Sequence, residues 1–575
     1  MQGLRLYPLT LAIVAGVGFA SSAESATLAQ GVDTVFSEYN KPDSPGCALS
    51  VIRDGRIAYS KGFGLASLEH KLPIDPQRTV FDIGSTSKQF TAASVLLLVQ
   101  DGKLSLDDDI RKVLPEIPDY GHTITVRHLL HHTSGLRDYI ALMNLGGIHF
   151  EDFTTDAQAL AVIARQQALD FVPGTEHSYS NTGYFLLSVI VQRVSGKPLR
   201  EFAQERIFAP LGMKDTRILD DHTAIIANRA TAYGANPEGG FAVRMSDWEQ
   251  TGDGAVQTTV RDLAKWDQNF YTPKVGGTWL IEQLQTRGQL ANGESIGYAG
   301  GLMMGELNGQ PMVSHGGAWA GYRAELIRLP EQKLSVAVLC NVDSSDPSAL
   351  ARQVAELYLG DKRKSEGLAV SKMATSAPSA TPATTASATA TAAPAVVTNP
   401  ERFTGMYWSR KSGLVRHIQV RDGKLWYVRS EDNASELTAL DGDRLLMLGT
   451  PNRTELKFSL DMGSPRKLQL IIGDNDNTEF EEVKPFAPSA AELALYAATY
   501  QSDELDTKWR FAVKDGALTL LQARGPDMPL QPAFADSFTV SGLLVRFLRD
   551  NAQHITGLAV DAGRAQDLKF VKLSE

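Results

Sequence analysis

A chain of 575 residues is too long for a single hydrophobic core, so two to four domains are expected. Its apolar share, 43%, and its charged share, 21%, are those of an ordinary globular protein. A net charge of -10, with no basic stripe to oppose it, argues against nucleic acid as a partner.

Residues 1–26 have the form of a secretory leader. Arg5 precedes an apolar run at 9–20, small residues follow, and cleavage is expected after Ala23 or Ala26. The run is too short to cross a bilayer, and no later stretch is long enough. No cysteine follows that could carry a lipid. The expectation is a periplasmic or secreted protein with no membrane span.

A helix-like segment then runs to about residue 39. Two β-rich runs follow, joined at Asp54-Gly55, a strong hairpin signal. The two cysteines, Cys47 and Cys340, fall in strand-like runs at 46–52 and 334–341. Export permits a disulfide, and two buried free thiols fit the sequence equally well.

The next stretch reads Phe81-Asp82-Ile83-Gly84-Ser85-Thr86-Ser87-Lys88-Gln89-Phe90, ahead of an apolar helix at 91–99. A helix starting near Ser85 puts Ser85 and Lys88 on one face, one turn apart. The hydroxyl would lie where free N–H groups favour developing negative charge. An amine set among apolar neighbours gives up its proton more readily than one in water. The pair therefore reads as a nucleophile with its own base.

A short helix at 125–130 leads into His131-His132-Thr133-Ser134-Gly135. His128, His131 and His132 lack the spacing and the acidic partner of a metal site, so packing and capping at a helix end are expected. Residues 156–169 read as a helix, and Pro173-Gly174 as a turn. Tyr179-Ser180-Asn181 opens an apolar helix to about residue 194. Gly252-Asp253-Gly254 is a tight turn before another helix. Ser314-His315-Gly316-Gly317-Ala318 leads into strands at 322–329 and 334–340, and a helix at 347–359 closes this part. One hairpin opens the region and three strands close it. That order predicts an α/β (α+β) sandwich: one antiparallel sheet built from both ends, covered by helices, plus a helical lobe.

From 373 to 398 the chain is almost wholly Ala, Thr, Ser and Pro, and 363–398 is expected to be a disordered linker. Beyond it lies an internal echo. Phe403-Thr-Gly-Met-Tyr407 with Asp422-Gly423 resembles Tyr496-Ala-Ala-Thr-Tyr500 with Asp515-Gly516. Each copy is the size of a small up-and-down barrel, so two lipocalin-like β-barrels are expected, at 399–488 and 489–575. A single larger barrel made from both halves is the competing arrangement.

A serine hydrolase needs a nucleophile, a base, a proton relay and an oxyanion hole. Ser85-x-x-Lys88, then Tyr179-x-Asn181 about ninety residues later, then His315-Gly316-Gly317 at a strand edge offer them in order. Three motifs in this order and spacing resemble the serine β-lactamase and penicillin-binding-protein superfamily. Within it the match is to the branch of class C β-lactamases, D-aminopeptidases and D-Ala-D-Ala carboxypeptidases. His132-Thr-Ser-Gly-Leu, Glu205-Arg-Ile-Phe-Ala-Pro-Leu-Gly-Met213 and Gly252-Asp-Gly-Ala resemble it too. The resemblance spans 32–360, and 27–362 is the expected catalytic domain.

The resemblance implies that Ser85 forms an acyl-enzyme, that Lys88 helps deprotonate it, and that Tyr179 relays the proton to the leaving group. Asn181 would hold the substrate amide. His315, Gly316, Gly317 and Ala318 would line the substrate edge, with the backbone N–H groups of Ser85 and Ala318 as the oxyanion hole. No metal or other cofactor is expected. The third motif departs from the Lys-Thr-Gly of true β-lactamases: a largely neutral histidine replaces a fixed cation. This resembles the D-aminopeptidases and esterase-like members. The implied substrate is a small D-amino-acid peptide or peptidoglycan fragment, with an ester or β-lactam as alternatives. A penicillin-binding sensor without turnover is a further one. D-aminopeptidases of this family also carry two β-barrels, and a loop of the last one reaches the cleft. On that basis acids near Asp503 and Glu504 would bind a substrate amine, or else form an exposed acidic turn.

Overall fold

The computed structural model describes residues 18–360, 397–430, 433–450, 453–460, 465–472 and 476–574. The expected leader, up to residue 17, and the expected linker, up to residue 396, lie outside the described residues. A helix, Gly18–Val35, already begins within the stretch read as a leader.

The sandwich is built on a six-stranded antiparallel sheet. Its order is Met303–Leu307, Gln310–Trp319, Tyr322–Leu329, Leu334–Cys340, Cys47–Arg53, Arg56–Phe63. Strands from both ends of the region meet in the middle, as the sequence predicts. Cys47 lies directly opposite Cys340, and the two form a disulfide. The hairpin turns at Asp54-Gly55, both at positive φ (52° and 72°), the geometry of the tight turns that suit twisted strands. A fourth closing strand, Met303–Leu307, joins the three expected ones. Its mostly exposed residues and central Gly305 hide it from a search for alternating apolar positions.

The alternation of the central strands divides the interior. Leu49, Val51, Val336 and Val338 face Val32 of the helix Gly18–Val35, Phe36 just after it, and Val354 and Ala355 of the helix Pro347–Leu359. Ala48, Ala337 and Leu339 face the helical lobe, with Phe81, Phe90 and Trp266. These central strands are apolar on both sides, so the middle of the sheet is buried on both faces.

The tail forms two separate barrels rather than one. Eight strands, from Gly405–Trp408 to Asp476–Val483, close on themselves around Tyr407, Leu425, Leu456, Phe458 and Phe480. The second is a nine-stranded sheet whose end strands, Met528–Pro529 and Gln531–Pro532, adjoin at Leu530, so it nearly closes. The echo has a structural counterpart. The hydroxyls of Tyr407 and Tyr500 each donate to the carbonyl four residues back, Phe403 and Tyr496, both at 2.9 Å.

The barrels dock on the sandwich and on each other. Trp408 of the first packs against Phe534 of the second, with ring centroids 4.9 Å apart. Trp509 Nε1 donates to Leu145 O. Arg137, 4% exposed, ion-pairs with Glu504 at 2.7 Å and lies 3.4 Å from Asp170. This corrects the reading of Glu504: it is neither a substrate-binding acid nor an exposed turn, but a buried clamp. Asp503 stays exposed. The same contact shortens a predicted helix. Asp156–Ala164 ends early, and Gln166 and Gln167 turn their N–H groups to Glu504.

Candidate active site

Ser85 sits in a tight 3-10 turn, Gly84–Ser87, that feeds the buried helix Lys88–Gln100. The turn is held on three sides. Gly84 N–H donates to Asp82 Oδ1, Ile83 N–H to Val256 O, and Val256 N–H to Ser87 Oγ. Gly84 adopts φ 48°, and a Cβ there would meet the Ala318 backbone nitrogen at 2.7 Å. The backbones beside Ser85 and around Ala318 therefore touch.

Lys88 is fully buried. Its Nζ donates to Ser85 Oγ (3.1 Å), Asn181 Oδ1 (2.9 Å) and Asp253 O (2.7 Å). Three acceptors for three N–H bonds fix the amine's position. Asn181 begins the helix Asn181–Ser195, and its backbone N–H and side-chain Nδ2 both donate to Asp138 Oδ2. Asp138 thus turns the amide oxygen of Asn181 toward Lys88; one amide hydrogen remains for a ligand. Sequence reasoning missed Asp138, whose role depends on a residue 43 positions away.

Tyr179 lies over Lys88, with Nζ 4.9 Å from its ring centroid. Its hydroxyl is buried and, among the described residues, has no hydrogen-bond partner. His132 packs against the ring at 4.2 Å and accepts from Ser180 N–H through Nδ1, and His128 completes a capping box with Thr125. These are the packing and capping roles expected of that histidine group.

His315 lies on the strand Gln310–Trp319. Its Nδ1 faces Gly316 O at 2.7 Å and its Nε2 faces Tyr298 Oη at 3.0 Å. A carbonyl only accepts, so Nδ1 carries the proton and Tyr298 donates to Nε2. Burial, helped by Lys88, pushes His315 down to about 3, so the ring is neutral at physiological pH. Both nitrogens are engaged within the protein.

Gly317 presses on the turn before Ser85: a Cβ there would lie 1.9 Å from Ile83 O. Gly317→Ala should destabilise the fold by roughly 1–3 kcal/mol, since backbone must move to admit the methyl. A urea melt beside a rate of Ser85 acylation checks this. Unchanged values for both would show that the strand and turn are not in firm contact.

Burial pushes the Asp253 carboxyl up to about 7, against the pull of Lys88 and of the Tyr139 hydroxyl at 3.1 Å. A carboxyl raised from its ordinary value favours the folded state when protonated. Its cost therefore grows as pH rises from about 4 to about 7. The stability of the wild type relative to Asp253→Asn should fall between pH 5 and pH 8. Urea melts of the pair at both pH values give this directly, and a flat difference would refute it.

Ser85, Tyr179, Asn181, His315, Gly316, Gly317 and Ala318 line one cavity of about 810 Å³, and Lys88 lies beneath it. Phe150, Trp248 and Trp319 form an aromatic wall. The second barrel contributes Arg564, whose guanidinium carbon lies 4.9 Å from the Tyr179 ring centroid. The turn that reaches the cleft is thus the one after Ile555–Asp561, not the acidic one at 503–504.

An antiparallel sheet sandwiched by helices, with Ser-x-x-Lys at its edge beside Tyr-x-Asn and a Gly-Gly strand, defines a β-lactamase-like fold. Residues 32–359 match the family model described as Beta-lactamase, and the chain belongs to that family. It is 31% identical to a D-aminopeptidase of Gluconobacter oxydans (strain 621H) over 335 residues, 58% of this chain and 62% of that one. It is 30% identical to a D-aminopeptidase of Brucella anthropi over 316 residues, 55% of this chain and 59% of that one. The chain thus spans about three fifths of the length of these relatives. Among solved structures, the octameric penicillin-binding protein homologue from Pyrococcus abyssi superposes with a TM-score of 0.53 at 25% identity, covering 80% of this chain and 99% of that one. SurE gives a TM-score of 0.53 at 23% identity, a likeness of fold alone.

Proposed function

We propose that this chain is an exported, D-stereospecific peptidase or amidase that works through an acyl-serine on small peptides or peptidoglycan fragments. The observation that carries the reading is a serine 3.1 Å from a buried lysine, under a tyrosine whose buried hydroxyl has no partner among the described residues. The D-aminopeptidases among the relatives supply the stereochemistry. The leader-like residues 1–26 and the Cys47–Cys340 bridge support export.

In this reading Ser85 Oγ attacks the carbonyl carbon of the scissile amide. Its proton passes by way of Lys88 and Tyr179 to the leaving nitrogen, the C–N bond breaks, and the amine departs. Water then attacks the ester carbon and gives a proton to Tyr179. The C–O bond to Ser85 breaks, Ser85 recovers a proton, and the acid leaves. Lys88 beside the Tyr179 ring favours negative charge developing on the phenol oxygen. The backbone N–H groups of Ser85 and Ala318 receive the oxyanion, and losing one such donor costs ~3 kcal/mol.

Rates on D-Ala-p-nitroanilide, its L-enantiomer, a short p-nitrophenyl ester and a fluorescent penicillin test the reading. Faster turnover of the D-anilide than the L-anilide is expected. Ester hydrolysis without amide hydrolysis, or a stable penicillin label without turnover, would overturn it.

A further inference from the structure

Among the described residues, one from outside the sandwich lines the cavity around Ser85. Arg564 stands in the turn between the strands Ile555–Asp561 and Leu568–Lys572 of the second barrel. The backbone of that turn is fixed. Asp138 N–H donates to Arg564 O at 2.8 Å, Gln566 N–H donates to Asp170 Oδ1 at 3.0 Å, and Ala565 is fully buried. The side chain of Arg564 is exposed to the cavity mouth and, among the described residues, makes no ion pair.

The lysine beneath the cavity and its other arginines have oxygen acceptors or an acid close by. Lys88 has three oxygen acceptors, and His315 is neutral with both nitrogens engaged. Arg323 donates to the carbonyls of Ala320 and Tyr322. Arg229 and Arg352 lie in the fields of the buried acids Asp82 and Glu325. Among the described arginines that line the cavity, Arg564 is the exposed one, and it makes no ion pair.

We propose that Arg564 is the subsite for a carboxylate on the leaving half of the substrate, so that preferred substrates are peptides whose leaving amino acid keeps its free carboxylate. The side follows from the relay. Tyr179 hands a proton to the leaving nitrogen, and Arg564 is the exposed cation beside that ring at the cavity mouth, which places it on the leaving half. This step rests on the function proposed above. A guanidinium matches a carboxylate with two parallel N–H bonds. A neutral leaving group, such as an amide or an anilide, forgoes that contact, and an ammonium on this side is repelled.

The test compares kcat/KM for D-alanyl-D-alanine and for its C-terminal amide, which share one acyl half, on the full chain. The wild type should favour the free acid. Arg564→Ala should cut the acid-to-amide ratio about ten- to hundredfold, the scale of a hydrogen bond to a charged group. Arg564→Lys should keep part of the ratio, and Arg564→Glu should invert it. Equal losses on both substrates would overturn the proposal and make Arg564 a support for Tyr179 alone. So would an unchanged ratio in Arg564→Ala. If the wild type turns over neither substrate, the peptidase reading fails, and the subsite is judged by thermal shift. Free D-alanine should then raise the melting temperature more than D-alaninamide does in the wild type, and equally in Arg564→Ala. No difference between the two ligands in the wild type would overturn the subsite.

Discussion

Ser85→Ala should abolish turnover of every substrate the protein accepts, with a loss in kcat on the order of a millionfold, the scale seen when a serine hydrolase loses its nucleophile. The fold should survive. Ser85 Oγ accepts a single hydrogen bond, from Lys88, and Lys88 keeps Asn181 Oδ1 and Asp253 O as acceptors. Steady-state rates beside a thermal melt separate the two effects. Residual activity at the level of a few per cent would mean that some other group attacks the carbonyl, and the acyl-serine mechanism would fall.

The second large effect lies at the clamp between the sandwich and the second barrel. Arg137→Ala should cost about 3–5 kcal/mol, the range for breaking a buried ion pair by removing one partner. The reason is what remains. Glu504 and Asp170 would share a buried site without their cation. The Asp170 carboxyl is already held up at about 7 by burial, with Arg137 opposing that shift. Activity should drop as well, because the neighbouring Asp138 orients Asn181 and donates its backbone N–H to the Arg564 carbonyl. Denaturant melts of Arg137→Ala, Glu504→Ala and the double variant give the coupling between the two. A coupling near zero would show that the barrel is not fastened there.

What could be read from the sequence, and what could not, follows the range of the signals. Ser85 and Lys88 are one helical turn apart, so a short window contains the whole geometry. The strands Tyr322–Leu329 and Leu334–Cys340 are buried runs of β-forming residues and were legible to the residue. Asp422-Gly423 and Asp515-Gly516 mark hairpins by their need for positive φ. The failures are long-range. Glu504 sits in a locally acidic stretch, and nothing near it announces a partner 367 residues earlier. Arg564 is a lone arginine in a Gly-Arg-Ala turn, and only docking of the barrel gives it a role. Met303–Leu307 has an edge strand's exposure and so lacks an alternating pattern.

The central pairing of Cys47–Arg53 with Leu334–Cys340 has a consequence for biosynthesis. A ribosome makes the first strand long before its inner neighbour, 293 residues later for the cysteine pair. Closing so long a stretch costs roughly 5 kcal/mol in chain entropy before any contact returns it. Until then the early hairpin offers an open apolar edge to other nascent chains. Maturation of this protein is thus a late, single act of ring closure, and it depends on whatever shields that edge while translation proceeds.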